Sequence, residues 1–331
     1  MRNWLRAARL NRSGRRPRDL ALIWVIDAGK FEWQAVLLLI SILERFAPEE
    51  RPALHAYLPA DAADAVSPDV LDFHRRNGVT VQVLPPMADA LDPDYRHGHK
   101  ILACAMPRRV DATMFLDTDT VILRRCDPLS VLEKVDLAAM PSHHTPWAPH
   151  QSARWRDLYR QAGWDWDAAA LLQGAHPHFN AGVILFREGP IIGRRRFGEA
   201  WRDTARQIDA LDGLEERRPW LDQIALGALA AQLDPDRIAP LDAGWNYPIT
   251  QVDEEIPVTA RIIHHHSGSR PLRLIRAIGH VPLTQMLRGH PPYEDIEKFR
   301  GLVEESFTRF HVPAYKAERR HGRIARRGEA E

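Results

Sequence analysis

Apolar positions along the chain fall into short runs of two kinds that alternate. Leu20 to Ile26 is unbroken and lies between Asp19 and Asp27, the pattern of an interior parallel strand buried on both faces. Gly29 opens a turn, and from Trp33 to Phe46 apolar residues recur at helical spacing until Pro48 stops them. The rhythm repeats with a strand at Ala53 to Leu58, a helix over Val70 to Arg75, a stop at Gly78 and a strand at Val79 to Leu84. A short helix from His99 to Arg108 leads into a strand at Asp111 to Leu116, and another strand follows at Val121 to Leu123. Later strands are predicted at Val135 to Met140, His178 to Phe186 and Ala260 to His265, with helices at Gly193 to Ile208 and Pro219 to Gln232. Strand, helix and strand in alternation predict an α/β fold with a mostly parallel central sheet of Rossmann-like kind.

Composition narrows the partners more than the fold. Forty-five Lys and Arg against forty-four Asp and Glu leave a formal charge of +1, so no molecule-wide field predicts a nucleic-acid partner. Two cysteines, Cys104 and Cys126, are too few for a disulfide framework or a four-cysteine zinc site. The longest apolar runs fall short of the roughly 20 residues that span a bilayer. These features suit a cytoplasmic protein. Residues 1–18 form a basic arm carrying Arg2, Arg6, Arg9, Arg12, Arg15, Arg16 and Arg18, without the apolar core of a secretory signal. With Trp4, Leu5 and Leu10 the arm has the make-up for peripheral contact with the anionic inner face of a membrane, a solvated leader being the plainer alternative. Residues 276–331, proline-rich and then highly charged, read as a helical or extended tail over the surface.

The chemistry concentrates where the strand at Asp111 to Leu116 runs into Asp117-Thr118-Asp119. In an extended chain residues i and i+2 project to one side, so Asp117 and Asp119 are positioned to share a hard divalent cation, Mg²⁺ or Mn²⁺. Ligands of open α/β sheets bind beyond the carboxyl ends of the strands, where this pair is expected. Asp-x-Asp alone is also a common solvated turn. Further along stand Phe179-Asn180-Ala181-Gly182-Val183, Leu221-Asp222-Gln223, Gly244-Trp245-Asn246-Tyr247 and His265-His266-Ser267-Gly268.

In that order, these segments resemble the GT-A nucleotide-sugar glycosyltransferases, most closely the retaining family 8 type that includes glycogenin and bacterial lipopolysaccharide hexosyltransferases. The resemblance runs from residue 19 to about residue 275. It implies transfer of a hexose from a nucleoside-diphosphate sugar, UDP-linked by preference, to a saccharide or glycan acceptor with retention. It further implies that Asp117, Asp119 and a downstream histidine hold Mn²⁺ against the donor diphosphate. Three adjacent histidines, His264, His265 and His266, compete for that role. The family's His-x-x-Gly spacing, counted back from Gly268, selects His265, and strand alternation puts the other two on the opposite face. By the same resemblance Thr118 lies at the donor diphosphate, Lys100 reaches donor phosphate and sugar, and Asp27 contacts the nucleotide, with Phe31 or Trp33 as the platform for the base. Arg270 stands near the family's diphosphate-binding lysine, although the spacing is one residue shorter and the following tryptophan is missing. Asn180, Asp222 and Gln223 are implied at the donor sugar and its anomeric carbon; a glutamine is a poor nucleophile, which favours attack on the same face as the departing group.

Two alternatives compete. A sugar nucleotidyltransferase would want a glycine-rich basic loop after the first strand, and Asp27-Ala28-Gly29-Lys30 is too sparse for one. A catalytically lapsed module would bind a nucleotide sugar or glycan without turnover.

Overall fold

Leu20–Val25 (β1) lies at the heart of a seven-stranded sheet and is covered on both faces, as its unbroken apolar run requires. Leu20, Leu22 and Trp24 join one hydrophobic core, while Ala21 and Ile23 join the other. The computed structural model describes residues 18–89, 91, 95–142, 152–164, 178–211, 218, 220–249, 256–266, 301, 303–305 and 308.

From β1 the chain passes through helix Lys30–Arg45 (α1), strand Ala53–Leu58 (β2), helix Pro68–Arg76 (α2) and strand Thr80–Val83 (β3). Helix Gly98–Ala105 (α3) precedes strands Ala112–Leu116 (β4) and Thr120–Ile122 (β5), helix Pro128–Leu132 (α4) and strand Leu137–Pro141 (β6). Helix Ser152–Ala162 (α5) and strand Phe179–Arg187 (β7) follow, then the short pair Pro190–Ile192 (β8) and Arg195–Arg196 (β9). Helices Phe197–Asp209 (α6) and Leu221–Ala230 (α7) lead to strands Ile238–Pro240 (β10), Tyr247–Pro248 (β11) and Ile262–His264 (β12).

The main sheet has the order β10-β6-β7-β4-β1-β2-β3. Neighbours are parallel except β7, which runs antiparallel to both β4 and β6. This reversal places the start of β7 against the end of β4, with Val183 opposite Leu116, so Asn180 to Gly182 lie beside Asp117. A small second sheet, β11-β12-β5, brings His264 opposite Thr120. Two separate stretches of chain are thereby delivered to the Asp117–Asp119 turn by backbone pairing alone.

Helices α1 and α2 contribute to the first core, and α3, α6 and α7 to the second. Where α3 meets α6, a Cβ on Gly198 would lie 2.2 Å from the carbonyl carbon of Cys104, so only glycine permits the approach. That contact seats α3, which carries Lys100. Val303, far down the chain, is buried in the first core. Residues 1–17 of the basic arm, and the tail apart from residues 301, 303–305 and 308, lie outside the described residues. Helix α5 and the short strands β8 to β11 have no counterpart in the sequence pattern, being too brief or too polar to leave a periodic signal.

Candidate active site

Asp117 and Asp119 lie on a tight turn rather than on an extended strand. The backbone N–H and the hydroxyl of Thr120 both donate to the Asp117 carbonyl, at 3.1 and 2.7 Å. The turn breaks the i, i+2 alternation on which a shared cation was argued, and the two carboxylates take different partners. Asp117 Oδ2 receives Lys100 Nζ at 2.9 Å, whereas Asp119 Oδ1 lies 2.9 Å from His264 Nε2. Thr118 between them is buried.

Among the described residues, Asp119, His264 and His266 form a group whose ligand atoms lie within 4.8 Å of one another. The expectation of His265 is not what the geometry brings together. Alternation along the chain from β12 sends His264 and His266 to one side, their ring centroids 3.9 Å apart, and His265 to the other. The His265 ring is buried in the interior, 6.0 Å from that of Trp33 and stacked on it, while its backbone N–H donates to the Asp119 carbonyl at 2.9 Å. His266 takes a positive φ of 47°, an uncommon conformation for a residue with a Cβ and one that concentrates at functional sites.

His264 is oriented from behind. Its Nδ1 lies 3.1 Å from Asn246 Oδ1, and Asn246 Nδ2 donates to Asn180 Oδ1 at 2.8 Å. The Gly182 N–H donates to the same Asn180 oxygen at 2.8 Å. With Nδ1 directed to an acceptor, Nε2 is the nitrogen presented to Asp119, the arrangement by which outer partners fix a ligating imidazole. Asn180, expected at the donor sugar, thus uses its carbonyl oxygen within the protein.

Burial alone would raise the Asp119 carboxyl, but His264, with His265 and His266 behind it, outweighs burial and holds it below the usual carboxylate range. Burial would likewise lower His264, and Asp119 holds it above its ordinary value instead. A half-buried carboxylate beside two imidazoles offers the mixed oxygen and nitrogen donors of a transition-metal site rather than the all-oxygen shell that Mg²⁺ prefers.

The second half of the site centres on Lys100. Its side chain is only 11% exposed, and its ammonium lies between two carboxylates, 2.9 Å from Asp117 Oδ2 and 3.3 Å from Asp222 Oδ2. It is not a solvated helix lysine. Burial would lower Lys100, but Asp117 and then Asp222 outweigh that and keep it protonated, above its ordinary value. Asp222 stands in the first turn of α7 with a side chain 3% exposed, and its Oδ1 accepts from the Tyr95 hydroxyl at 2.8 Å. Trp201 Nε1 donates to the Asp222 carbonyl at 3.0 Å. Beside it, Gln223 has its Oε1 buried without a hydrogen-bond partner among the described residues. Such an oxygen costs about 1–3 kcal/mol unless something donates to it, so it points to a ligand.

Asp27 lies just past β1, its Oδ1 accepting from the Ala28 N–H at 2.7 Å, and Phe31 nearby is partly exposed under Lys30. Trp33, the alternative base platform, is fully buried in the first core and has no open face for a ligand. Arg270 and Gly268 lie outside the described residues. Sequence reasoning did not single out Tyr95, and it used Asn246 only as part of the Gly-Trp-Asn-Tyr segment, although that match already marked the position.

The Rhodobacterales glycosyltransferase domain family matches residues 22–234, a span that includes Lys100, the Asp117–Asp119 turn, Asn180 and Asp222. The chain belongs to this glycosyltransferase family. Among solved structures, the chain is similar to the bifunctional glycosyltransferase WbbM at 13% identity and a TM-score of 0.51, over 80% of this chain and 50% of that one. It is also similar to mouse xyloside xylosyltransferase 1, at 14% identity over 75% of this chain and 98% of that one with a TM-score of 0.47. The galactosyltransferase LgtC, solved with donor and acceptor sugar analogues, matches at 13% identity over 86% of this chain and 95% of that one, with a TM-score of 0.45. No curated protein sequence matches. This Rhodobacterales-type glycosyltransferase has the GT-A fold of nucleotide-sugar enzymes, with the mostly parallel sheet expected of it.

Proposed function

We propose that this glycosyltransferase moves a hexose from a UDP-linked sugar to a saccharide or glycan acceptor, with Mn²⁺ at Asp119, His264 and His266 and retention at the anomeric carbon. The observation that carries this reading is the adjacency of two half-sites. A carboxylate with two imidazoles suits a cation and diphosphate, and Asp222 with the orphaned Gln223 Oε1 suits a polyhydroxylated sugar.

When bound, the cation would stabilise the negative charge that gathers on the departing nucleoside diphosphate. Asp117 stands beside this group, and its pairing with Lys100 offsets part of the negative charge that the carboxylates would set against a diphosphate. Asp222 retains unused lone pairs after Tyr95 and Lys100 and accepts from sugar hydroxyls. Gln223 takes a hydroxyl proton donor at its buried oxygen. With an amide rather than a carboxylate at that position, Gln223 is a poor nucleophile, which favours attack on the same face as the leaving group. Asp27 and Phe31 face the nucleotide, and Asn180 offers its amide nitrogen. Arg270 and membrane contact through the basic arm belong to the same proposal; liposome co-sedimentation with and without residues 1–18 tests the latter.

The test of the whole is a thermal-shift panel of UDP-glucose, UDP-galactose, UDP-N-acetylglucosamine and GDP-mannose, each with Mn²⁺ or EDTA. A Mn²⁺-dependent rise in melting temperature with one donor is expected. Folded protein that responds to none of them would overturn the reading, and binding without hydrolysis or transfer would point to a lapsed module.

A further inference from the structure

The Asp222 carboxylate is held at both oxygens by groups of different kind. Oδ2 faces the Lys100 ammonium at 3.3 Å, an opposite charge that it shares with Asp117. Oδ1 accepts the Tyr95 hydroxyl at 2.8 Å, and the Asp222 backbone N–H lies 3.4 Å from that same hydroxyl oxygen. Tyr95 thus grips one residue by side chain and backbone together. Its ring is itself fixed: the Arg218 guanidinium lies 5.8 Å from the ring centroid, anchored by Asp209, and the His97 ring stands 5.6 Å away. Tyr95 is buried, and burial followed by the Asp222 charge pushes its phenol far up, so it remains a donor throughout the working pH range.

We propose that Tyr95 is a positioning residue that orients the Asp222 carboxylate toward the donor sugar. Lys100 supplies the opposite charge, but Asp222 shares it with Asp117. A carboxylate with only an ammonium for a partner is free to rotate against it, whereas the phenol fixes the carboxylate plane and so the direction of the lone pairs left for a sugar. The inference rests on the reading of Asp222 as a sugar-facing group.

The experiment compares Tyr95→Phe, Asp222→Asn and the double variant, with UDP and the four nucleotide sugars of the panel in Mn²⁺. UDP lacks the sugar and reads the nucleotide, cation and diphosphate contacts without the sugar-facing half of the site. Tyr95→Phe is expected to bind UDP within about twofold of the unaltered protein, while turnover of the donor falls tenfold or more, as for misplaced reacting groups. Because Tyr95 acts through Asp222, the double variant is expected to be no slower than Asp222→Asn alone, where independent effects would multiply. Three results overturn the inference alone: undiminished turnover in Tyr95→Phe, effects that multiply, or loss of UDP binding together with turnover, which would make Tyr95 a general support of the fold. If Asp222→Asn itself changes nothing, or no nucleotide sugar binds the unaltered protein, the reading of Asp222 fails first and takes this inference with it.

Discussion

The ring of His264 fills the space that a side chain on Gly182 would need: a Cβ there would lie 2.6 Å from His264 Cε1 and 2.7 Å from Nδ1. The Asn180 oxygen, 3.0 Å away, closes the remaining room. The glycine of Phe-Asn-Ala-Gly is therefore a requirement of the histidine on another sheet. Gly182→Ala should push His264 off Asp119 and weaken Mn²⁺-dependent UDP binding by about tenfold or more, the usual scale for losing a ligand's support. Calorimetric titration of UDP with and without Mn²⁺ measures this, and unchanged affinity would refute it.

The three histidines separate by variant. His264→Ala should abolish the Mn²⁺ dependence of UDP binding. His265→Ala should keep it and instead lower stability by about 1–3 kcal/mol, because it empties a buried position packed on Trp33. Chemical denaturation alongside Mn²⁺ titration distinguishes them, and the opposite pattern would return the ligand role to His265.

Removing the cation between Asp117 and Asp222 leaves a buried carboxylate uncompensated. Lys100→Met should cost about 3 kcal/mol near neutral pH, the scale for breaking a buried pair from one side. Urea unfolding gives the value, and a change under about 0.5 kcal/mol, the usual range for exposed positions, would show that the pairing is dispensable.

A pH dependence follows from His74. Burial pushes its imidazole down to about 4, from an ordinary 6.5, against a partial offset from the Val70 carbonyl. Between those values the unfolded chain binds a proton and the folded one does not. Stability is therefore full above about pH 6.5 and is lost as pH falls toward 4, by up to about 3 kcal/mol. His74→Leu should flatten this slope, as urea midpoints at about pH 7 and about pH 4.5 would reveal.

An unbroken apolar run made β1 legible, because a strand buried on both faces has no polar positions to blur its ends, and β2 and β4 were legible from mostly apolar runs that admit only His55 and Thr113. The helices α1 and α7 were legible from spacing. Lys100 and Asp222 were legible only through resemblance: nothing in Gly-His-Lys or Leu-Asp-Gln says that the two meet across 3.3 Å. The histidines that lie beside Asp119 differ from the His265 expected because counting from Gly268 overrides the alternation that separates His265 from its neighbours. Tyr95 was hidden for a different reason. A lone tyrosine in a loop has no period, and its partner is 127 residues further on.

The pairing of β12 with β5 brings together residues 145 positions apart, Asp119 and His264. During synthesis every strand of the main sheet is translated before the histidines leave the ribosome. A nascent chain stopped after β10 has its carboxylates and Lys100 but no imidazole to set against them. Cation binding at the proposed site would thus wait until the small sheet is stitched shut, a late event in the maturation of this enzyme.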